Sequence, residues 1–158
     1  QACAKFGINL DSVAYNKGRL EGIREFCAPK NGFEMGTKGY KYENICPDDL
    51  ETSFLEAYRE GVEIYGLILE LNEDEMQISQ LRLELERIRI AISSREGALI
   101  RRGLSEILRN QLNDELNDFI NLRIWIENTI ADRAHNLEEL RQKIRRLKAA
   151  SSYSSVSM

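Results

Sequence analysis

The chain has 158 residues, 42% of them hydrophobic and 30% charged, with a net charge of −4 at pH 7. That length holds one domain, or a small domain with a helical extension. The negative balance excludes a general attraction for DNA, RNA or acidic lipid, and no apolar run is long enough to span a bilayer.

The two prolines, Pro29 and Pro47, both fall in the first third. Scarce proline with abundant Leu, Ile, Glu and Arg predicts a mainly α fold. No signal peptide is present and the first residue is Gln1. The chain therefore reads as a mature protein, or as a piece whose N-terminal part was removed. The three cysteines, Cys3, Cys27 and Cys46, also lie in the first third, with no Cys-x-x-Cys and a single histidine, His135. That pattern disfavours zinc and points to a disulfide in an oxidising compartment, with three free thiols as the alternative. No cofactor or metal is expected.

The first predicted element is a helix over 13–26, with Asp11 and Ser12 as N-cap residues and Ala28-Pro29 as its stop. Gly18 and Gly22 lie four apart on it, below Tyr15, and predict a close approach of another backbone; a glycine-floored ligand cleft is the functional alternative. Residues 30–47 are punctuated by Gly32, Gly36 and Gly39, with Phe33, Tyr40 and Tyr42 interleaved. A phosphate loop would need a Gly-Lys-Ser/Thr ending and a preceding strand, and has neither. A turn-rich loop or short hairpin, 33–38 against 40–45, is expected instead. A Cys27–Cys46 bond around it would close a ring of about twenty residues and contribute on the order of 3 kcal/mol. Residues 1–47 thus read as a small Cys/Gly/Tyr-rich head.

Ala14-Tyr15-x-x-Gly18 recurs as Ala57-Tyr58-x-x-Gly61. The ordered set runs Cys3, Gly7, Tyr15, Gly18-Arg19, Gly22, Cys27, Asn31-Gly32-Phe33, Gly36, Gly39, Tyr42, Cys46-Pro47, Phe54, Tyr58, Gly61, Tyr65. Over roughly residues 1–70 this resembles a family of Gram-negative bacterial lipoproteins catalogued as domain of unknown function 2799. The resemblance implies a lipid-anchored protein of the outer membrane facing the periplasm. It also implies an upstream stretch with a further cysteine, which leaves Cys3 either paired upstream or competing for Cys27 or Cys46. It carries no activity, and so no catalytic residue.

Pro47-Asp48-Asp49-Leu50-Glu51 starts the second part, with Asp48 and Glu51 forming an expected capping box. From 48 to 150 apolar residues recur at alternating spacings of three and four, predicting a long amphipathic helix folded into an antiparallel coiled-coil hairpin. Its inner seam is Ile64, Leu67, Leu71, Ile78, Leu81, Leu85, Ile88 and Ile92, answered by Leu108, Leu112, Leu116, Phe119, Ile126, Ile130, Leu137, Leu140, Ile144 and Leu147. The register fails at Arg95, Arg102 and Glu106, which places the reversal near 93–97; a continuous helix is the alternative. Acids crowd 51–75 and bases 141–148, a pattern that favours antiparallel folding. Residues 151–158 read as a tail.

A second apolar row, Leu69, Met76, Leu83 and Ile90, runs seven apart on the far side of the first arm, with Ile120 and Ile124 on the second. A helix with two apolar faces needs two partners. For chemistry little remains. His135 has no nucleophile near it in sequence, Glu73, Asp74 and Glu75 lack a calcium loop, and Trp125 suits packing. The tip at 98–109 could serve a membrane surface, a partner helix or ordinary packing. The chain is not expected to be an enzyme. It is expected to be a structural or interaction protein working as a homo-oligomer or with another envelope protein, touching membrane only through an N-terminal lipid. The alternative is a cell-wall glycan or peptide binding module built on Tyr15, Phe33, Tyr40, Tyr42, Tyr58 and Tyr65.

Overall fold

A computed structural model of the chain describes residues 11–153. Cys3 and the tail beyond Tyr153 lie outside them. The fold is mainly helical: α1 (Ser12–Phe26), α2 (Pro29–Thr37), α3 (Asp48–Leu99) and α4 (Glu106–Ala150) follow one another, with no strand among the described residues. Two compact units divide it, one formed by residues up to Ile68 together with those from Ile144 on, the other spanning Leu69–Lys143.

In the first unit, the Asp11 carboxylate accepts from the N–H groups of Val13 and Ala14, each at 3.0 Å, and so caps α1. Cys27 ends that helix, and its sulfur is bonded to Cys46. Residues 29–37 are helical, not the loop or hairpin that their glycines suggested. Pro29 explains this: with φ pre-set and no N–H to lose, it opens a helix at its first position, after the extended Ala28. Gly32 and Gly36 then lie one turn apart on the face of α2 that meets α3.

That contact is close. A Cβ on Gly36 would lie 2.8 Å from the Val62 nitrogen and 2.9 Å from Gly61 Cα, and nearer still to the Tyr58 carbonyl oxygen. A Cβ on Gly61 would in turn lie 2.7 Å from the Thr37 nitrogen and 2.9 Å from Gly36 Cα. A Cβ on Gly32 would lie 2.5 Å from the Phe54 carbonyl oxygen. The close approach expected at Gly18 and Gly22 is absent, for nothing comes within 4 Å of a Cβ at either. α1 buries no residue, so among the described residues nothing requires its glycines to be small.

Where α2 ends, Gly39 takes φ +70°, a left-handed conformation that glycine adopts freely, and rests against the Tyr65 ring. The core of the unit is Cys27, Tyr42, Cys46 and Phe54, with Ile23, Phe26, Met35, Leu50, Leu55 and Tyr58 around it. The capping box foreseen at Asp48 and Glu51 is replaced. The Pro47 carbonyl accepts from Leu50 and Glu51, both at 2.9 Å, and the Glu51 carboxylate instead accepts from the Tyr42 hydroxyl at 3.0 Å. Asp48, Asp49 and Glu51 still place negative charge in the first turn, which favours the positive end of the helix dipole.

In the second unit, Leu85, Ile88, Ile92 and Ile126 form a buried cluster with Leu81, Leu116, Phe119, Ile120 and Ile130 packed on it. These are positions of the three-four pattern. Ion pairs between α3 and α4 run in opposite senses: Glu75 with Arg141 (2.6 Å), Arg89 with Glu127 (3.3 Å) and Arg95 with Glu115 (3.0 Å).

The reversal does not fall at 93–97. That stretch is helical and α3 continues to Leu99, with residues 100–105 making the connection. Two interactions accommodate Arg95, whose place in the seam had suggested a break. Its guanidinium lies over the Phe119 ring, 5.2 Å from the centroid, and binds Glu115. The chain turns instead at Gly103, with φ +83°, and Ser105 Oγ accepts from the Leu108 N–H at 3.3 Å to start α4. Ile100 and Ile107, beside this turn, are strongly exposed.

Candidate functional site

The geometry of α3 between Leu69 and Leu99 separates two apolar faces. Inner residues Ile78, Leu85 and Ile92 sit two positions after Met76, Leu83 and Ile90. Two residues are about 200° of helix, so the two rows point in opposite directions. The inner row is buried, Leu85 to 7% exposure, whereas Leu69, Met76, Leu83 and Ile90 are 50%, 57%, 64% and 63% exposed. α4 covers one face and leaves the other open.

Seven residues fall about 20° short of two helical turns, so the outer row drifts by about 60° over its four members and stays on one side of the helix. One flank reads Asn72, Ser79, Glu86, Ser93, and the other Glu73, Gln80, Arg87, Ser94, all of them exposed. Scattered exposed apolar side chains are ordinary on a protein surface. A row in heptad spacing is the pattern of a helix seam. On α4, Ile124 is exposed at 46%, but Ile120 is not part of the outer surface. It adjoins Phe119, on the widened seam of α4, and packs into the inner cluster.

The six aromatics proposed as a ligand cluster are only partly brought together. Tyr42 and Tyr58 lie 6.3 Å apart by ring centroids, and each also packs against Phe54, at 4.9 and 6.3 Å. Phe33 is buried, Tyr65 lies against Gly39, and Tyr15 stands exposed on α1. Two of the hydroxyls are engaged inside the protein: that of Tyr42 accepts from the buried Cys46 N–H at 2.9 Å and donates to Glu51, and that of Tyr58 donates to the Tyr40 carbonyl at 2.9 Å. Burial, helped by the Glu51 carboxylate, pushes the Tyr42 hydroxyl above its usual value of 10.0, against the opposing effect of the Cys46 N–H.

The sequence had not placed Phe26 and Phe54 in this group, although Phe54 is its centre. The spacing of Phe54, Tyr58 and Gly61 at four and three on one helix was the available signal. A groove of about 450 Å³ on this unit is lined by Gly22, Glu25, Phe26, Ala28, Lys30, Asn31 and Glu34, and by none of the six aromatics.

Residues weighed for other chemistry have plain surroundings. His135 is exposed, 3.4 Å from Glu139 on the same helix. Asp74 binds Arg133 at 2.5 Å and Glu75 binds Arg141. Trp125 is largely exposed. No helix among the described residues is long and apolar enough to cross a membrane.

The fold therefore defines a helical protein with a disulfide-closed, aromatic-cored unit and a second unit whose long helix leaves one apolar face open. Residues 1–63 match the model of the family described as a protein of unknown function, DUF2799, the family that the Cys, Gly and Tyr order resembles. No curated protein and no solved structure matches the chain.

Proposed function

We propose that this protein is a structural and interaction component that assembles with further copies of itself through the outer face of α3. The observation that carries the reading is the row Leu69, Met76, Leu83 and Ile90, four apolar side chains in heptad spacing and at least half exposed. In this reading α3 and α4 form an antiparallel coiled-coil arm, and the opposed order of their ion pairs supports it. The unit around Phe54 is the Tyr/Gly head.

The same reading sets the protein in the periplasm, held at the outer membrane by an N-terminal lipid. The Cys27–Cys46 bond supports an oxidising compartment, and the family resemblance supports the anchor. In this reading the arm carries the binding face and the head lies nearer the lipid in sequence.

The test is solution mass by light scattering at two concentrations. The wild-type chain is expected at twice its 18.2 kDa or more. Met76→Glu with Leu83→Glu is expected to give a monomer of unchanged helicity, since both side chains stand in solvent within the single chain. A monomeric wild type, or a double variant of unchanged oligomer mass, would refute the proposal.

A further inference from the structure

Resting on that reading, we infer that the second copy lies antiparallel along α3, across a two-fold axis beside Ser79 and Gln80. Two features of the outer face are self-complementary on reversal. The first is the apolar row, whose midpoint falls between Met76 and Leu83. Reversing a copy about that point sets Leu69 opposite Ile90 and Met76 opposite Leu83, so all four exposed members find apolar partners. Isologous two-fold contacts of this kind close the assembly at a dimer.

The second feature is charge. The flank of the row reads Glu73, Gln80, Arg87, an acid, a neutral residue and a base at equal spacing. Reversal sets Glu73 of each copy opposite Arg87 of the other, and Gln80 opposite Gln80. A parallel copy in register has the opposite effect. Its flanking positions meet five residues apart along a heptad seam, which brings Arg82 of one copy beside Arg87 of the other. Like charges at such positions select against that orientation. The centre is also uncrowded, since Ser79 and Gln80 are exposed polar residues of modest size.

Cysteine pairing reads the orientation directly. Met76→Cys and Leu83→Cys are made separately in the full chain carrying Cys3→Ser, then examined alone and co-expressed, after mild oxidation, on a non-reducing gel. In the antiparallel dimer residue 76 faces residue 83 of the second copy. Two copies of residue 76 are then offset by seven residues, about 10 Å along the helix, beyond the Cα separation of about 7 Å that a disulfide tolerates. The expected result is a band at twice the 18.2 kDa chain mass in the co-expressed sample and none in either variant alone.

Bands from each variant alone would mean a parallel dimer and overturn the inference while self-association stands. A dimer by light scattering that gives neither pattern overturns the register equally. A monomer by light scattering removes the self-association reading itself, and the inference with it.

Discussion

Replacing Gly36 with alanine sets two effects of known sign against each other. In a helix interior alanine is favoured over glycine by about 1 kcal/mol, so a site with free space gains stability. At Gly36 the added methyl meets only backbone: the Tyr58 carbonyl, the Val62 nitrogen at 2.8 Å and Gly61 Cα at 2.9 Å. None of these can swing aside as a side chain would. Restoring an ordinary contact of about 3.5 Å to Gly61 alone moves α2 outward by roughly 0.6 Å, and the Tyr58 oxygen demands more. α2 is not free to retreat, because Cys27 just before it is bonded to Cys46 just before α3. Overpacking of this kind costs about 1–3 kcal/mol, and separating the helices also loosens Phe33 and Phe54, both buried. The net expectation is a loss of about 1–2 kcal/mol in the first unit.

Gly22→Ala is the internal control. It sits in helix with nothing within 4 Å of the new Cβ, so it should gain a few tenths to about 1 kcal/mol. Hydrogen exchange of the α2 amides reports the first unit without requiring the whole chain to unfold in one step. Faster exchange in Gly36→Ala together with unchanged or slower exchange in Gly22→Ala is expected. Equal behaviour of the two variants would refute the claim that α2 and α3 touch through their backbones.

Tyr42→Phe removes the acceptor of the buried Cys46 N–H and should cost about 1–3 kcal/mol in denaturant unfolding; no loss would show the bond to be dispensable. The raised Tyr42 pKa also sets a pH dependence. Below pH 10 both states keep the proton, whereas above it the unfolded chain releases a proton that the folded chain retains. Stability should therefore fall as pH rises from about 10 through the folded value, and a Tyr42→Phe chain with the same slope there would sink this assignment. Arg123 carries a buried Nε with no hydrogen-bond partner among the described residues. Arg123→Met should raise stability by about 1 kcal/mol, which urea unfolding followed by Trp125 fluorescence would contradict if the midpoint fell.

What the sequence made legible follows from the range of the interaction involved. The α1 cap needed only Asp11 beside a helical run, and it is there. The inner positions of α3 were readable because burial on a long helix leaves a regular three-four trace, and Ile78, Leu85, Ile88 and Ile92 are buried. A Cys27–Cys46 ring was one of the pairings the sequence left open, and the two are bonded. The errors lie where a residue's meaning depended on an unseen neighbour. Gly32 and Gly36 looked like turn residues because their partners, Phe54, Tyr58 and Gly61, are more than twenty residues away. The same argument for close approach was correct in kind but placed on Gly18 and Gly22. Arg95 looked like a break because a charged residue in a seam is costly unless something receives it, and Phe119 and Glu115 do so from the other helix. The outer row was visible from spacing alone, whereas Ile120 required knowing how far the seam of α4 widens.

The two units differ in what they leave available for binding. A carbohydrate or peptide platform needs aromatic faces or hydroxyls presented together. Around Phe54 the rings stack on one another, and the Tyr42 and Tyr58 hydroxyls are engaged with Cys46, Glu51 and Tyr40. Removing any of these groups is therefore expected to loosen the unit before it affects a ligand. On α3 the reverse holds. Leu69, Met76, Leu83 and Ile90 can be changed to polar residues without opening a cavity, because each already stands at least half in solvent. Stability and the proposed association can thus be varied separately, the first at Gly36 and Tyr42 and the second at Met76 and Leu83. That separation makes the outer face of α3 the place where a loss of function can be read as lost contact and not as lost fold.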